Sequence, residues 1–176
     1  KTETCDVAVI GAGPAGAVSS AILASKGWNV RVFERQHFPR FSIGESMLAH
    51  TMELLMQAGL YEDVKAVGFQ FKDGAAFDWG GRHTDIYFPN KSTPGPETTF
   101  QVRRDLFDDA LIKGAQRRGA KVSFGDSVTA QRGKLGPEFP GNDDRRAQAV
   151  AEARGSDQRG LHLPGGDQRI QVAARD

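Results

Sequence analysis

Residues 5–34, CDVAVIGAGPAGAVSSAILASKGWNVRVFE, constrain this chain more than any other stretch. Gly11, Gly13 and Gly16 form a G-x-G-x-x-G turn directly after residues 6–10, a run rich in Val and Ile that suits a buried parallel strand. Their missing side chains permit a tight turn, close approach of a pyrophosphate to the backbone, and close helix–strand packing. Residues 14–26 are small and apolar and read as a helix, whose first N–H groups and dipole favour phosphate. Gly27 stops that helix, residues 29–33 form a second strand, and Glu34 stands where a carboxylate can accept hydrogen bonds from a ribose. A glycine turn alone would be weak evidence. Here strand, turn, helix, strand and acid all fall at the required spacing, which predicts a dinucleotide site without separating FAD from NAD.

The rest of the composition narrows the class by exclusion. At 176 residues the chain is expected to hold one domain with an appendage. A net charge of +1, from 23 basic and 22 acidic residues, points to neither nucleic acid nor an anionic membrane as partner. No apolar run approaches the roughly 20 residues of a membrane span, and no signal-peptide h-region precedes the first strand, so a cytoplasmic protein is expected. Cys5, the only cysteine, excludes an intramolecular disulfide and is expected to pack. His37, His50, His83 and His162 lack metal-ligand spacing, and no metal is expected.

Beyond Glu34, residues 35–44 are irregular, broken by Pro39 and Gly44. Ser46 reads as an N-cap for a helix in which Met47, Leu48, Met52, Leu55 and Met56 recur with helical spacing, a stripe expected to be core. Residues 61–66 suggest a further short helix. Residues 75–79, 84–88 and 98–102 are short β-like runs, which predict an antiparallel excursion inserted in the parallel sheet. Residues 104–117 read as a helix with Leu106, Phe107, Ala110, Leu111 and Ala115 on one face. Gly119 ends it, residues 120–124 give another parallel strand, and a further strand begins at residues 127–130.

The character changes near residue 131. Residues 131–176 are dominated by Arg, Gly, Asp, Gln and Ala, with few large apolar side chains. Such a segment buries too little apolar surface to offset an ordering cost of about 1–2 kcal/mol per residue. It is expected to be disordered or non-native, with residues 145–154 its one helix-favouring stretch. Two parts follow: an α/β, Rossmann-like FAD-binding domain over residues 1–130, incomplete and carrying a small β insertion around residues 69–102, and a mostly irregular tail over 131–176. Arg-, Gly- and Ala-rich text is also what a GC-rich gene yields out of frame. That hypothesis is refuted if the locus proves to hold an intact in-frame coding region through this stretch.

Four segments upstream of that change resemble the flavin-dependent halogenases within the FAD-dependent monooxygenase superfamily. They are GAGPAG with Glu34, FPRFSIGES at 38–46, GFQFKDGAAFDWG at 68–80, and FQVRRDLFDDAL at 100–111. The resemblance implies that Gly11, Gly13, Pro14, Ala15, Gly16, Glu34, Arg35 and Arg104 bind FAD, with Arg104 offering a planar fork of donors to phosphate. Arg103 is the weaker candidate of that pair, and Asp108 is expected to order the helix start. The resemblance also implies that halide and O2 are consumed, that a separate flavin reductase supplies reduced FAD, and that the substrate is a small phenolic or pyrrolic aromatic, free or tethered to a carrier protein. In the family a lysine at the position of Lys72 holds the oxidised halogen beside the substrate. Phe69, Phe71, Phe77 and Trp79 are expected to strip water from that amine. Glu45 reads equally as a functional acid or a helix-terminal charge, and Arg40 equally as a phosphate or substrate contact or an exposed residue.

The departures are informative. The family's Trp-x-Trp-x-Ile-Pro element is missing, since the only tryptophans are Trp28 and Trp79. The downstream Gly-Asp flavin motif is missing too, because Gly166-Asp167 falls too early. The chain is therefore expected to be an inactive N-terminal fragment of a halogenase. Two rivals stand: another FAD-dependent hydroxylase or geranylgeranyl-reductase-like enzyme, for which Lys72 would be irrelevant, and a non-enzymatic nucleotide-binding remnant.

Overall fold

The computed structural model describes residues 4–128 and two short strands beyond them. Its centre is a parallel sheet in the order β1-β2-β7, formed by β1 (Val7–Ile10), β2 (Val30–Glu34) and β7 (Lys121–Phe124). Val7 pairs with Val30 and Ile10 with Phe33, while Arg31 pairs with Lys121 and Glu34 with Phe124. Helix α1 (Pro14–Ser25) makes the crossover from β1 to β2, with Pro14 at its start, where a missing N–H costs nothing. Gly16 explains the close packing: a Cβ there would overlap the Gly11 carbonyl oxygen and press on Val9 Cγ1. Gly11 turns at φ +93°, a conformation that side chains resist. Cys5 is buried beside this sheet, and burial pushes its thiol pKa up, in keeping with a packing role.

Helices α2 (His50–Gln57), α3 (Tyr61–Lys65) and α4 (Arg104–Arg117) complete the core. Leu55, Leu60, Val64, Phe107, Leu111 and Ile112 are fully buried together with Val30 and Val32 of β2. Burial of each such side chain contributes about 1.5–3 kcal/mol. The methionine-rich stripe is only partly core. Met52 and Leu55 face inward, whereas Met56 is half-exposed and Leu48, which precedes the helix, lies at 70% exposure. Ser46 does not cap α2, which begins at His50 without a side-chain cap. Its backbone instead bridges to Gln101.

The antiparallel excursion is present as two separate pairs. β3 (Gln70–Lys72) pairs with β6 (Thr99–Gln101), and β4 (Gly74–Trp79) pairs with β5 (Arg82–Tyr87) through a turn at Gly80 and Gly81, both at positive φ. A 3-10 turn (Phe88–Asn90) follows β5. β6 is anchored by Phe100, whose ring lies 4.9 Å from that of Phe71. The chain then continues through β7 into β8 (Ser127–Val128), which pairs with β9 (Glu152–Arg154), itself paired with β10 (Ala173–Arg175). Residues 152–154, expected to end a helix, are thus a strand. The remainder of the expected helix and of the expected irregular tail lies outside the described residues.

Candidate functional site

A cleft of about 380 Å³ opens over the carboxyl ends of β1 and β2. Its walls are Ile10, Gly11 and Gly13 from the glycine turn, the segment from Phe33 to Gln36, Arg40, and residues 126–128 after β7. This is where ligands bind in an open parallel sheet, because the strand ends and helix N-termini present their free backbone groups there. Four of the residues expected to bind the cofactor line it: Gly11, Gly13, Glu34 and Arg35. Gly16 acts beneath it, through the packing of α1. Pro14 starts that helix, and Ala15 lies exposed on its first turn.

Glu34 is buried, and both its carboxylate oxygens already accept backbone hydrogen bonds. The Ala12 N–H donates to Oε2 at 2.8 Å and the Gln36 N–H to Oε1 at 2.9 Å. Each oxygen keeps a second acceptor site. Glu34 therefore locks the glycine turn to the end of β2 and still presents acceptor capacity to the cleft. Helix α1 has no side chain capping its first turn, so its N–H donors remain to be satisfied by a ligand or solvent. Gly13 lets Arg40 approach the turn: a Cβ there would lie in contact with Arg40 Nη2, at 3.4 Å. Arg40 Nε is buried without a hydrogen-bond partner. Free donors, a positive helix end and an acidic wall suit the adenosine-diphosphate half of a dinucleotide.

Arg104 does not line the cleft. Its Nε and Nη2 donate to the two carboxylate oxygens of Asp108, at 2.8 and 3.1 Å, and its Nη1 donates to the Ile43 carbonyl at 2.6 Å. Arg103 is turned outward onto Asp105, at 2.6 Å, a contact that raises the guanidinium pKa and lowers the carboxyl pKa. Arg40, which the sequence left open between a ligand contact and an exposed role, has a side chain only 17% exposed and sits 3.4 Å from Asp108. Its guanidinium also stacks on Phe38, 4.9 Å from the ring centre.

Lys72 occupies a second place. Its Nζ donates to Ser46 Oγ at 2.5 Å and lies 5.3 Å from the centre of the Phe88 ring. The expected apolar surround is not formed. Phe69 and Phe71 turn toward Phe100, and Phe77 and Trp79 stand 52% and 87% exposed on the β4–β5 hairpin. The reason is register. β3 pairs with β6, and β4 pairs with β5, so neighbours in sequence enter different ribbons. Ser46 comes close because residues 45–47 also lie along β6: the Val102 N–H donates to the Glu45 carbonyl and the Met47 N–H to the Phe100 carbonyl.

Sequence reasoning missed Ile10, Phe33, Gln36, Asp126, Ser127 and Val128 as cleft residues. Their signal is position at the carboxyl ends of the parallel strands or in the few residues that follow them. Among the described residues no cluster of three or more His, Cys, Asp and Glu side chains could hold a metal, and no helix is long and apolar enough to cross a membrane.

Known proteins place this arrangement in context. The family model described as "FAD binding domain" matches residues 4–148. The chain is 36% identical over 123 residues to a tryptophan 2-halogenase of Chondromyces crocatus, covering 70% of this chain and 23% of that protein. It is 33% identical over 141 residues to a 1H-pyrrole-2-carbonyl peptidyl-carrier-protein chlorinase of Pseudomonas fluorescens, covering 70% of this chain and 31% of the other. Among solved structures, a flavoprotein/dehydrogenase from Cytophaga hutchinsonii superposes with a TM-score of 0.73 at 37% identity, over 98% of this chain and 38% of that one. The myxobacterial chondrochloren halogenase, a FAD-dependent enzyme, superposes with a TM-score of 0.71 at 28% identity, over 98% of this chain and 36% of its own. The chain thus spans under a third of the length of these two curated relatives.

Proposed function

The chain belongs to the FAD binding domain family, and from that premise we propose that it carries the ADP-binding half of the FAD site of a flavin-dependent halogenase acting on a small aromatic substrate. The dinucleotide part of the reading rests on the cleft, where the glycine turn, the uncapped start of α1 and Glu34 converge. Gly11, Gly13, Glu34 and Arg35 would hold the adenosine diphosphate there. When bound, FAD supplies the oxidising chemistry, using O2 and halide. Arg104 serves the site from outside the cleft, by bracing the loop at Ile43 and Gly44 against α4.

The observation that carries the halogenase part is the 2.5 Å hydrogen bond from Lys72 to Ser46. It joins two of the segments that resemble halogenases, through residues 26 apart in sequence. An amine that donates to a hydroxyl and is faced by Phe88 is positioned to deliver a hydrogen bond to one point. Relatives named for tryptophan and for carrier-bound pyrrole support an aromatic substrate, free or tethered. A separate flavin reductase and a cytoplasmic setting belong to the same reading.

Turnover with FAD, a flavin reductase, NADH, chloride and phenolic or pyrrolic substrates is the direct test. No chlorination is expected from residues 1–176 alone, and clear chlorination would overturn that expectation. In a full-length relative, replacing the lysine that aligns with Lys72 by Ala should abolish halogenation and spare flavin oxidation; unchanged halogenation would overturn the role of Lys72. The similarity to a flavoprotein/dehydrogenase favours one second reading, a flavoprotein oxidoreductase of other specificity. Halogenation by the full-length relative would exclude it.

A further inference from the structure

The β4–β5 hairpin has two faces of different character. Residues directly opposite one another share a face. The pairing sets Ala75 against Ile86, Phe77 against Thr84 and Trp79 against Arg82 on one side, and Asp78 against His83 and Ala76 against Asp85 on the other. Every residue of β5 is exposed, as are residues 76–79 of β4. The outer edge of β5 is open as well. In an antiparallel pair every second residue turns its N–H and C=O away from the partner strand, and among the described residues β5 pairs with β4 alone. Such an edge is a template for another strand unless Pro, Lys or a bulge guards it. β5 contains neither Pro nor Lys, and its register with β4 is unbroken from Arg82 to Tyr87. Its charges, on Arg82, His83 and Asp85, decide instead which strand can be added.

We propose that β5 pairs with β5 of a second copy of this chain, antiparallel about a two-fold axis at Thr84. Faces and charges together select that register. Setting Thr84 against Thr84 keeps the apolar face of one hairpin level with the apolar face of the other. It also sets His83 against Asp85 of the second copy, twice by symmetry. His83 already meets Asp78 of its own hairpin at 3.0 Å, so the ring stands between two carboxylates. On the apolar face Arg82 lies between Trp79 of its own hairpin and Ile86 of the second copy, where its methylene stem covers both. A shift of one residue would set an apolar face against a polar one. A shift of two would oppose His83 to His83 or Asp85 to Asp85, like charges directly across the ladder. Pairing turns two ribbons that are marginal alone into one four-stranded sheet. The contact is small, with six residues of β5 on each side, so the association is weak and concentration-dependent. It is independent of the cofactor cleft.

Sedimentation of the 176-residue chain at increasing concentration should show a monomer–dimer equilibrium. Asp85→Lys sets a cation against His83 and should weaken the dimer about tenfold. His83→Glu sets two acids together and should weaken it similarly. The double variant should dimerise again, because each new acid then meets a new cation of the second copy. Thr84→Cys should yield a disulfide-linked dimer on mild oxidation, since residues directly opposed at the axis lie within disulfide reach. Ile86→Cys should not, because the register sets residue 86 against Arg82 rather than against itself. Cys5 is buried and does not compete. Positions 83–86 are all exposed, so the variants should keep the wild-type melt. A chain that stays monomeric at every concentration overturns the inference and leaves the edge to a strand of another kind. A dimer indifferent to the charge changes, or one that cross-links equally at 84 and 86, overturns it too.

Discussion

The glycine turn and the Lys72 ribbon are both built from β-structure, yet they are held in opposite ways. The turn lies between two parallel strands, with Ala12 at zero exposure, Glu34 buried, and α1 pressed down through Gly16. The Gly11 and Ala12 N–H groups are satisfied by the end of the adjacent strand, through the Phe33 carbonyl and the Glu34 carboxylate. The Lys72 region is a pair of two-stranded ribbons in which Phe71, Phe77 and Trp79 are more than half exposed. Two-stranded ribbons are marginal without a packed face. One region is a finished piece of architecture. The other presents its chemistry on an open surface and depends on segments brought from elsewhere.

Three substitutions put this contrast to the test. Gly16→Val should have the largest effect, because its side chain would collide with the Gly11 carbonyl and Val9. A loss of about 3 kcal/mol or more is expected, read as a collapse of the thermal melt and of ADP binding together. Glu34→Gln keeps the volume but turns one acceptor facing the Ala12 and Gln36 N–H groups into a donor. A loss of about 1–3 kcal/mol is expected by denaturant titration, and an unchanged midpoint would show that the turn is held by sterics alone. Trp79→Ser should be the mildest, with stability within about 0.5 kcal/mol of wild type. A large loss there would mean that the hairpin is as tightly built into the fold as the turn.

The two regions also differ in how far they could be read in advance. The β1–α1–β2 unit was legible because its information is local: apolar run, glycines, helix formers, second run and acid follow one another without interruption from Asp6 to Glu34. Its boundaries shifted by only a residue or two. Helix α4 was equally plain, since its apolar face repeats at helical spacing over 14 residues. The surroundings of Lys72 were not legible. Phe77 and Trp79 stand close to it in sequence but belong to a hairpin of their own, whereas Ser46 reaches it from 26 residues upstream and Phe88 from beyond that hairpin. Ser46 itself looked like a helix cap, because Ser before an apolar run suits one. Pairing with β6 overrode that local preference.

Residue order alone, then, specified the parallel βαβ unit, the glycine turn and the acid at the end of β2. Steric demands on a glycine and the periodicity of a strand or helix act between near neighbours, so no distant part of the chain is needed to set them. Which charges face the cleft was settled only by packing in three dimensions. Arg104, the arginine the motif favours, engages Asp108 and two loop carbonyls, while Arg40, from a loop far upstream, forms part of the cleft wall. The physical reason is competition. A buried carboxylate must be neutralised, and the fit of the Arg40 loop against α4 brings both guanidinium groups to Asp108.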